Sequence, residues 1–152
     1  MREILFRGKR MDNGEWADGY LYEHEPALVG IVSENDVPEP SKWFVARTGF
    51  ADWNMPRPVE FVEVDPSTVG QYTGLKDKNG KRIFEGDIVK TSDITHEGVI
   101  QIPGKSFEIA MRKGCWVMVA WEDWDFLVTN HECIRVIGNI HGNQELLKGG
   151  EG

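Results

Sequence analysis

The chain has 152 residues, 40% hydrophobic and 28% charged, a balance that excludes wholesale disorder and suits one ordinary domain or two small ones. Net charge is −8, and a cut after Thr68 leaves 7 basic and 13 acidic residues before it and 10 and 12 after it, which opposes non-specific nucleic-acid binding, most of all in the first part. Apolar runs are only a few residues long, as in Trp116 to Trp121, and the opening Met-Arg-Glu-Ile-Leu-Phe-Arg has no secretory apolar stretch, so the expectation is a soluble, cytoplasmic protein with no membrane span.

Strand signals outnumber helix signals along the whole chain. Ile4 to Arg7 and Glu15 to Tyr22 flank Asp12-Asn13-Gly14, which predicts a hairpin with a type I′ turn. In its second arm Trp16, Asp18, Tyr20 and Tyr22 alternate with Ala17, Gly19 and Leu21, so the aromatic residues share one face. Pro38, Pro40, Pro56 and Pro58 punctuate residues 34–58, which read as an irregular insertion with one short strand, Lys42 to Arg47, and with Trp43, Phe50 and Trp53 tucked against the sheet. Val59 to Val64 is strand-like again, and Asp65-Pro66-Ser67-Thr68 offers the clearest boundary. The expected division is therefore 1–68, a β region holding the Pro-rich insertion; 69–148; and a frayed tail, 149–152.

Beyond the boundary, Tyr72 to Asp77 and Arg82 to Phe84 flank Lys78-Asn79-Gly80-Lys81 as a second hairpin. Further strands are expected at Asp87 to Lys90, Gly98 to Ile102, Cys115 to Trp121, Phe126 to Val128 and Ile134 to Ile140, with a helix only at Gln144 to Lys148. Short strands at this spacing argue a small antiparallel barrel, and the fold class is all-β.

The block Gln71 to Val89, which runs Gln-Tyr-Thr-Gly-Leu-Lys-Asp-Lys-Asn-Gly-Lys-Arg-Ile-Phe-Glu-Gly-Asp-Ile-Val, resembles the YopX family of phage and prophage proteins. The start Ile4-Leu5-Phe6-Arg7 and the close Val136-Ile137-Gly138-Asn139-Ile140 are similar to the family's ends, although His141 stands where many relatives have an aromatic residue. The resemblance implies a small protein of unknown function with no catalytic residues to carry over. It also implies an SH3-like barrel for the second part and a bacterial host cell. Residues 23–58 take no part in it. Read physically, Asn79-Gly80 makes a tight turn, and Glu85-Gly86-Asp87 reverses the chain with the Asp87 carboxylate placed to accept backbone N–H groups.

Candidate chemistry is sparse. His131, Cys133, Cys115 and His141 are possible zinc ligands, but only His131 and Cys133 are close in sequence; both cysteines read better as free, buried core residues. Glu122, Asp123 and Asp125, crowded between Trp121 and Trp124, read as a solvated turn, and Glu85, Asp87 and Lys90 lack the partner residues of a nuclease set. Cys115 enters the core in an apolar setting, which suits no nucleophile. No phosphate loop or nucleophile elbow occurs, and no cofactor is expected.

Two surfaces remain. Trp16, Tyr20 and Tyr22, joined by Trp43 or Trp53, form an aromatic patch suited to protein contact. Lys76, Lys78, Lys81 and Arg82 gather at the second hairpin's tip, where a phosphate backbone could dock, with Tyr72 or Trp116 available for stacking. The leading expectation is a non-enzymatic module that binds a host or phage protein and self-associates into a homo-oligomer; a nucleic-acid-binding accessory protein comes second and a metal-dependent hydrolase third. The acidic excess reads first as solubility; the sharper reading is an acidic surface presented to a basic partner or imitating DNA charge.

Overall fold

In the computed structural model, residues 3–26, 39–52, 55–91, 106–119, 125–127 and 133–148 are described; for 49–59, 125–127 and Lys148 this extends to the backbone only. The chain divides into two units, Ile4–Val69 and a second made of Met1–Glu3 with Gly70–Gly152. Both are built of antiparallel strands.

The first unit is a ladder of sequence neighbours. Strand β1 (Phe6–Lys9) turns into β2 (Trp16–His24), which pairs with β3 (Lys42–Asp52), which pairs with β4 (Met55–Val64). The first turn is a four-residue loop, Met11 to Gly14, closed by Arg10 N–H to the Glu15 carbonyl at 2.9 Å. It is not the predicted two-residue type I′ turn: only Gly14 takes a positive φ, of 71°, and Asn13 does not. The Asn13 side chain instead accepts the Glu15 N–H at 2.9 Å, an Asx-type bond that makes a wider loop.

The irregular insertion also needs correction. Residues 42–52 and 55–64 form a long hairpin, with register shifts between Arg47 and Thr48 and between Phe50 and Asp52. Pro56 and Pro58 sit on β4, which pairs only with β3 along their stretch, so a missing ladder donor is tolerated there. Trp53 and residues 34–38 lie outside the described residues, as do the side chains of Phe50 and its neighbours.

The ladder then closes on itself. Arg10 bridges Val64; Met11 N–H donates to the Glu63 carbonyl at 3.0 Å, and Asp65 N–H to the Lys9 carbonyl at 2.8 Å. A 3-10 turn at Pro66–Thr68, capped by the Asp65 carboxylate, brings the Thr68 hydroxyl to the Lys9 N–H at 2.8 Å. The enclosed core is small: Ala17, Val45, Val62 and Val64, with Trp43 and Val69 packed against it. Gly8 and Gly19 face it because nothing larger fits. A Cβ at Gly8 would stand 2.9 Å from that of Val64, and one at Gly19 would run into the Ala46 carbonyl oxygen.

The second unit begins with the hairpin of β5 (Gly70–Lys76) and β6 (Arg82–Phe84). A meander follows: β7 (Asp87–Thr91), β8 (Ser106–Arg112), β9 (Cys115–Val119) and β10 (Asp125–Leu127). Strand β11 (Ile134–Asn139) returns beside β7, giving the order β10-β9-β8-β7-β11. Its core joins Ile83 of the hairpin to Val89, Phe107, Ile109 and Ile134 of the sheet. Strand β8 escaped the sequence reading, although Phe107, Ile109 and Met111 alternate with Glu108, Ala110 and Arg112. The expected strand at 98–102 lies outside the described residues, as does the tail 149–152.

The one described α-helix, α1 (Glu145–Lys148), is a single turn. Among the described residues no helix is long and apolar enough to cross a membrane.

Candidate functional site

Strand registry decides which side chains share the outer wall of the first unit. Tyr20 pairs with Ala46 and Ala46 with Phe61, so one row crosses three strands; Tyr22, Phe44 and Glu63 form the next. Ala46 is buried as the floor of the first row, while Tyr20 is 57% exposed, Phe61 56% and Tyr22 49%. Tyr22 meets Phe61 edge-on at 6.1 Å between ring centres. Trp16, 36% exposed, stands on the same face with the Arg7 guanidinium 4.6 Å and the Lys9 ammonium 5.6 Å from its ring centre. These cation–π contacts hold both basic heads against the wall.

Trp16, Tyr20 and Tyr22 thus share the face predicted from their alternation, and Phe61 joins them from Val59 to Val64, a stretch read as strand-like but not as part of the patch. Trp43 does not join them. It pairs with Glu23 and Val64, which puts it on the opposite, inward face against the small core. Asp18 and Glu63 are exposed acids on the aromatic wall. At its loop end Arg10 donates to both Asp12 oxygens, at 2.9 and 2.7 Å, and these hydrogen bonds hold the Asp12 carboxyl below its ordinary range.

The block Gln71 to Val89 is organised by two buried carboxylates. Asp77 accepts the N–H groups of Asn79 and Lys81 on one oxygen, at 2.8 and 2.9 Å, and that of Val136 on the other at 3.0 Å. Burial pushes its carboxyl up, but the bonds from Val136, Lys81 and Asn79 and the nearby Lys81 charge outweigh this and leave it lowered. The Asp77–Gly80 turn, with Gly80 at φ 79°, is thereby pinned to β11, and Lys78 N–H adds a bond to the Ile134 carbonyl at 2.9 Å. Asp87, 1% exposed, accepts Phe84 N–H at 2.8 Å, as its turn predicted, and faces the Asn139 amide at 3.4 Å.

Of the four predicted tip cations, Lys76, Lys78 and Lys81 are exposed. Arg82 turns back instead, 3.3 Å from Glu3 and over the Tyr72 ring at 5.7 Å. Tyr72 is buried beneath it, so it presents no stacking face. Behind the tip, Lys90 and Arg135 stand opposite each other on β7 and β11.

The remaining candidates separate. Cys133 is buried as expected, but Cys115 is exposed, because it opens β9 directly after the Lys113-Gly114 turn rather than inside the sheet. His131, Glu122 and Asp123 lie outside the described residues, as does the side chain of Asp125. Asp87 of the suspected nuclease set holds backbone, and Lys90 faces Arg135. Glu108 on β8 is pushed up by burial and by Glu85, against the opposing charge of Arg112.

The family model described as YopX protein matches residues 6–148. The chain belongs to the YopX family. The crystal structure of protein EF1440 from Enterococcus faecalis is similar to this YopX protein in fold, with 23% identity and a TM-score of 0.50, covering 97% of this chain and 99% of that one. Among curated proteins none matches.

Proposed function

We propose that this YopX protein is a non-enzymatic interaction module of a phage or prophage, working in the cytoplasm of a bacterial host. Its partner protein docks on the outer wall of the first unit. The observation behind this reading is the row Tyr20–Ala46–Phe61, two exposed rings on either side of a buried small residue, extended by Tyr22. Such a row offers a shallow apolar seat between rigid aromatic rims, the kind of surface that concentrates binding energy at protein interfaces. The exposed acids Asp18 and Glu63 on that wall favour a partner with a basic rim. Self-association into the expected homo-oligomer would use the same row of rings, apolar rim against apolar rim. For the second unit, the return of β11 beside β7 after a four-stranded meander supports an SH3-like barrel as the scaffold.

The test is affinity capture from host lysate with and without nuclease, comparing wild type with Tyr20→Ser plus Phe61→Ser, alongside light scattering of both. The expected result is a dominant protein that survives nuclease and disappears with the double variant, or a multimer that falls to monomer mass. Identical capture and identical mass for the two proteins would overturn the reading.

A further inference from the structure

A second surface, on the other unit, has a different chemistry. The β7–β11 register sets Lys90 directly against Arg135. Like charges at opposed positions of an antiparallel pair destabilise it. The Asp77–Gly80 turn is bonded to β11 around Arg135: Lys78 N–H bonds the Ile134 carbonyl at 2.9 Å and Asp77 accepts Val136 N–H at 3.0 Å, the residues on either side of Arg135. Lys81 closes the same turn, its N–H on Asp77 at 2.9 Å. The turn, β7 and β11 therefore carry Lys78, Lys81, Lys90 and Arg135 on adjoining backbone segments, although Arg135 comes 45 residues or more after the others.

Among the described residues none of these four is in an ion pair, whereas Arg10 has Asp12 and Arg82 has Glu3. Asp77, the acid in their midst, has both oxygens engaged by backbone N–H groups. The rest of the tip, Lys76, Asn79 and Gly80, is exposed, and no exposed large apolar side chain lies on residues 77–81 or on β11. A protein interface needs an apolar or aromatic anchor at its centre; a phosphate backbone needs only cations.

We propose that Lys78, Lys81, Lys90 and Arg135 form a sequence-independent docking site for the phosphodiester backbone of nucleic acid. The chain's net charge of −8 keeps this binding weak and local. It does not abolish it, since charges more than about 8 Å away are largely screened at physiological salt. The site is independent of the aromatic wall.

Fluorescence anisotropy with a short labelled DNA duplex tests it, with polyglutamate as competitor. Four neutralised phosphates predict a log–log salt slope near −3.6. Lys78→Gln, Lys81→Gln and Arg135→Gln together should weaken binding at least about tenfold at low salt and make the slope shallower by about 2.7. Lys42→Gln, an exposed lysine of the first unit, and the Tyr20→Ser/Phe61→Ser protein should bind as wild type does. Circular dichroism confirms that the triple variant folds; if it does not, Arg135→Gln alone should make the slope shallower by about 0.9. The absence of saturable duplex binding at low salt would overturn the proposal. So would equal binding by wild type and variant, or polyglutamate competing as well as duplex, which would mark a surface for an acidic protein.

Discussion

Asp77 joins a turn to a strand that comes 59 residues later, so its removal strips three backbone N–H groups of their acceptor at once. Asp77→Ala should cost about 2 kcal/mol in urea unfolding, because three partly buried bonds to a carboxylate are lost together. The sign of its pH dependence follows from its lowered carboxyl. The folded pKa lies below the unfolded one, so Asp77 stabilises fully above the ordinary carboxylate range, and that contribution disappears as pH falls through the folded value. Glu108 acts in the opposite sense. Burial raises its folded pKa, so the native state binds a proton where the unfolded chain does not, and stability falls as pH rises through that window. Glu108→Gln should therefore raise the melting temperature at neutral pH and leave it nearly unchanged below both values. The cysteines supply a cheaper check: under native conditions alkylation should modify Cys115 alone, and Cys133 only after unfolding. Asp87's bond to Phe84 was legible because a turn acid three residues downstream of its donor is a local pattern. Asp77's bond to Val136, and the Lys90–Arg135 opposition, were not, since each depends on a strand pairing that the linear order does not reveal.

Elements were legible where turn chemistry and alternation agreed, and illegible where proline intervened. Asn13-Gly14 and Asn79-Gly80 both marked real hairpins, even though the first closes as a wider loop than expected. The long β3–β4 hairpin was hidden because Pro56 and Pro58 read as breakers, which they are in a central strand but not where one side of the strand is unpaired. Trp43 was placed on the wrong side for a related reason: its face is set by its registry with Glu23 and Val64, and aromatic content carries no such information. The same registry explains the inward glycines. Gly19→Ala should destabilise by about 1–3 kcal/mol through overpacking against the Ala46 carbonyl. Gly14→Ala, where a Cβ meets nothing within 4 Å, should cost only the left-handed backbone strain of about 1–2 kcal/mol. If chemical denaturation found Gly19→Ala as stable as wild type, the close packing inferred for the first unit's interior would be wrong.

For the whole molecule, the β class followed from spacing and turn residues, and membership of the YopX family from the Gln71–Val89 block and the two ends. That block proves to be architecture, two buried acids and the turns they hold. The surfaces that suggest function reach beyond it: the aromatic wall on β2 and β4, and cations of which only Lys78 and Lys81 belong to the block. The two should respond separately. Replacing Tyr20 and Phe61, both largely exposed, should leave the melting temperature nearly unchanged while removing the captured partner, and should leave duplex affinity intact. Replacing Lys78, Lys81 and Arg135 should weaken duplex binding and leave the captured partner in place.

The bridge from Lys9–Met11 to Glu63–Asp65 has a consequence for synthesis on the ribosome. Among the described residues the other strand pairings of the first unit join neighbours and can form as the chain emerges, but this one joins its beginning to its end. A non-local contact of this kind sets the pace of folding. Until residue 68 has left the exit tunnel, the Lys9 N–H and carbonyl and the Met11 N–H must wait for their partners, an edge open to any other nascent strand. The Asp65-Pro66-Ser67-Thr68 turn then delivers Asp65 and Thr68 together to Lys9, so the unit locks in a single late step. A ribosome arrested before that turn would hold a protease-sensitive first unit, and one arrested well after it a resistant one.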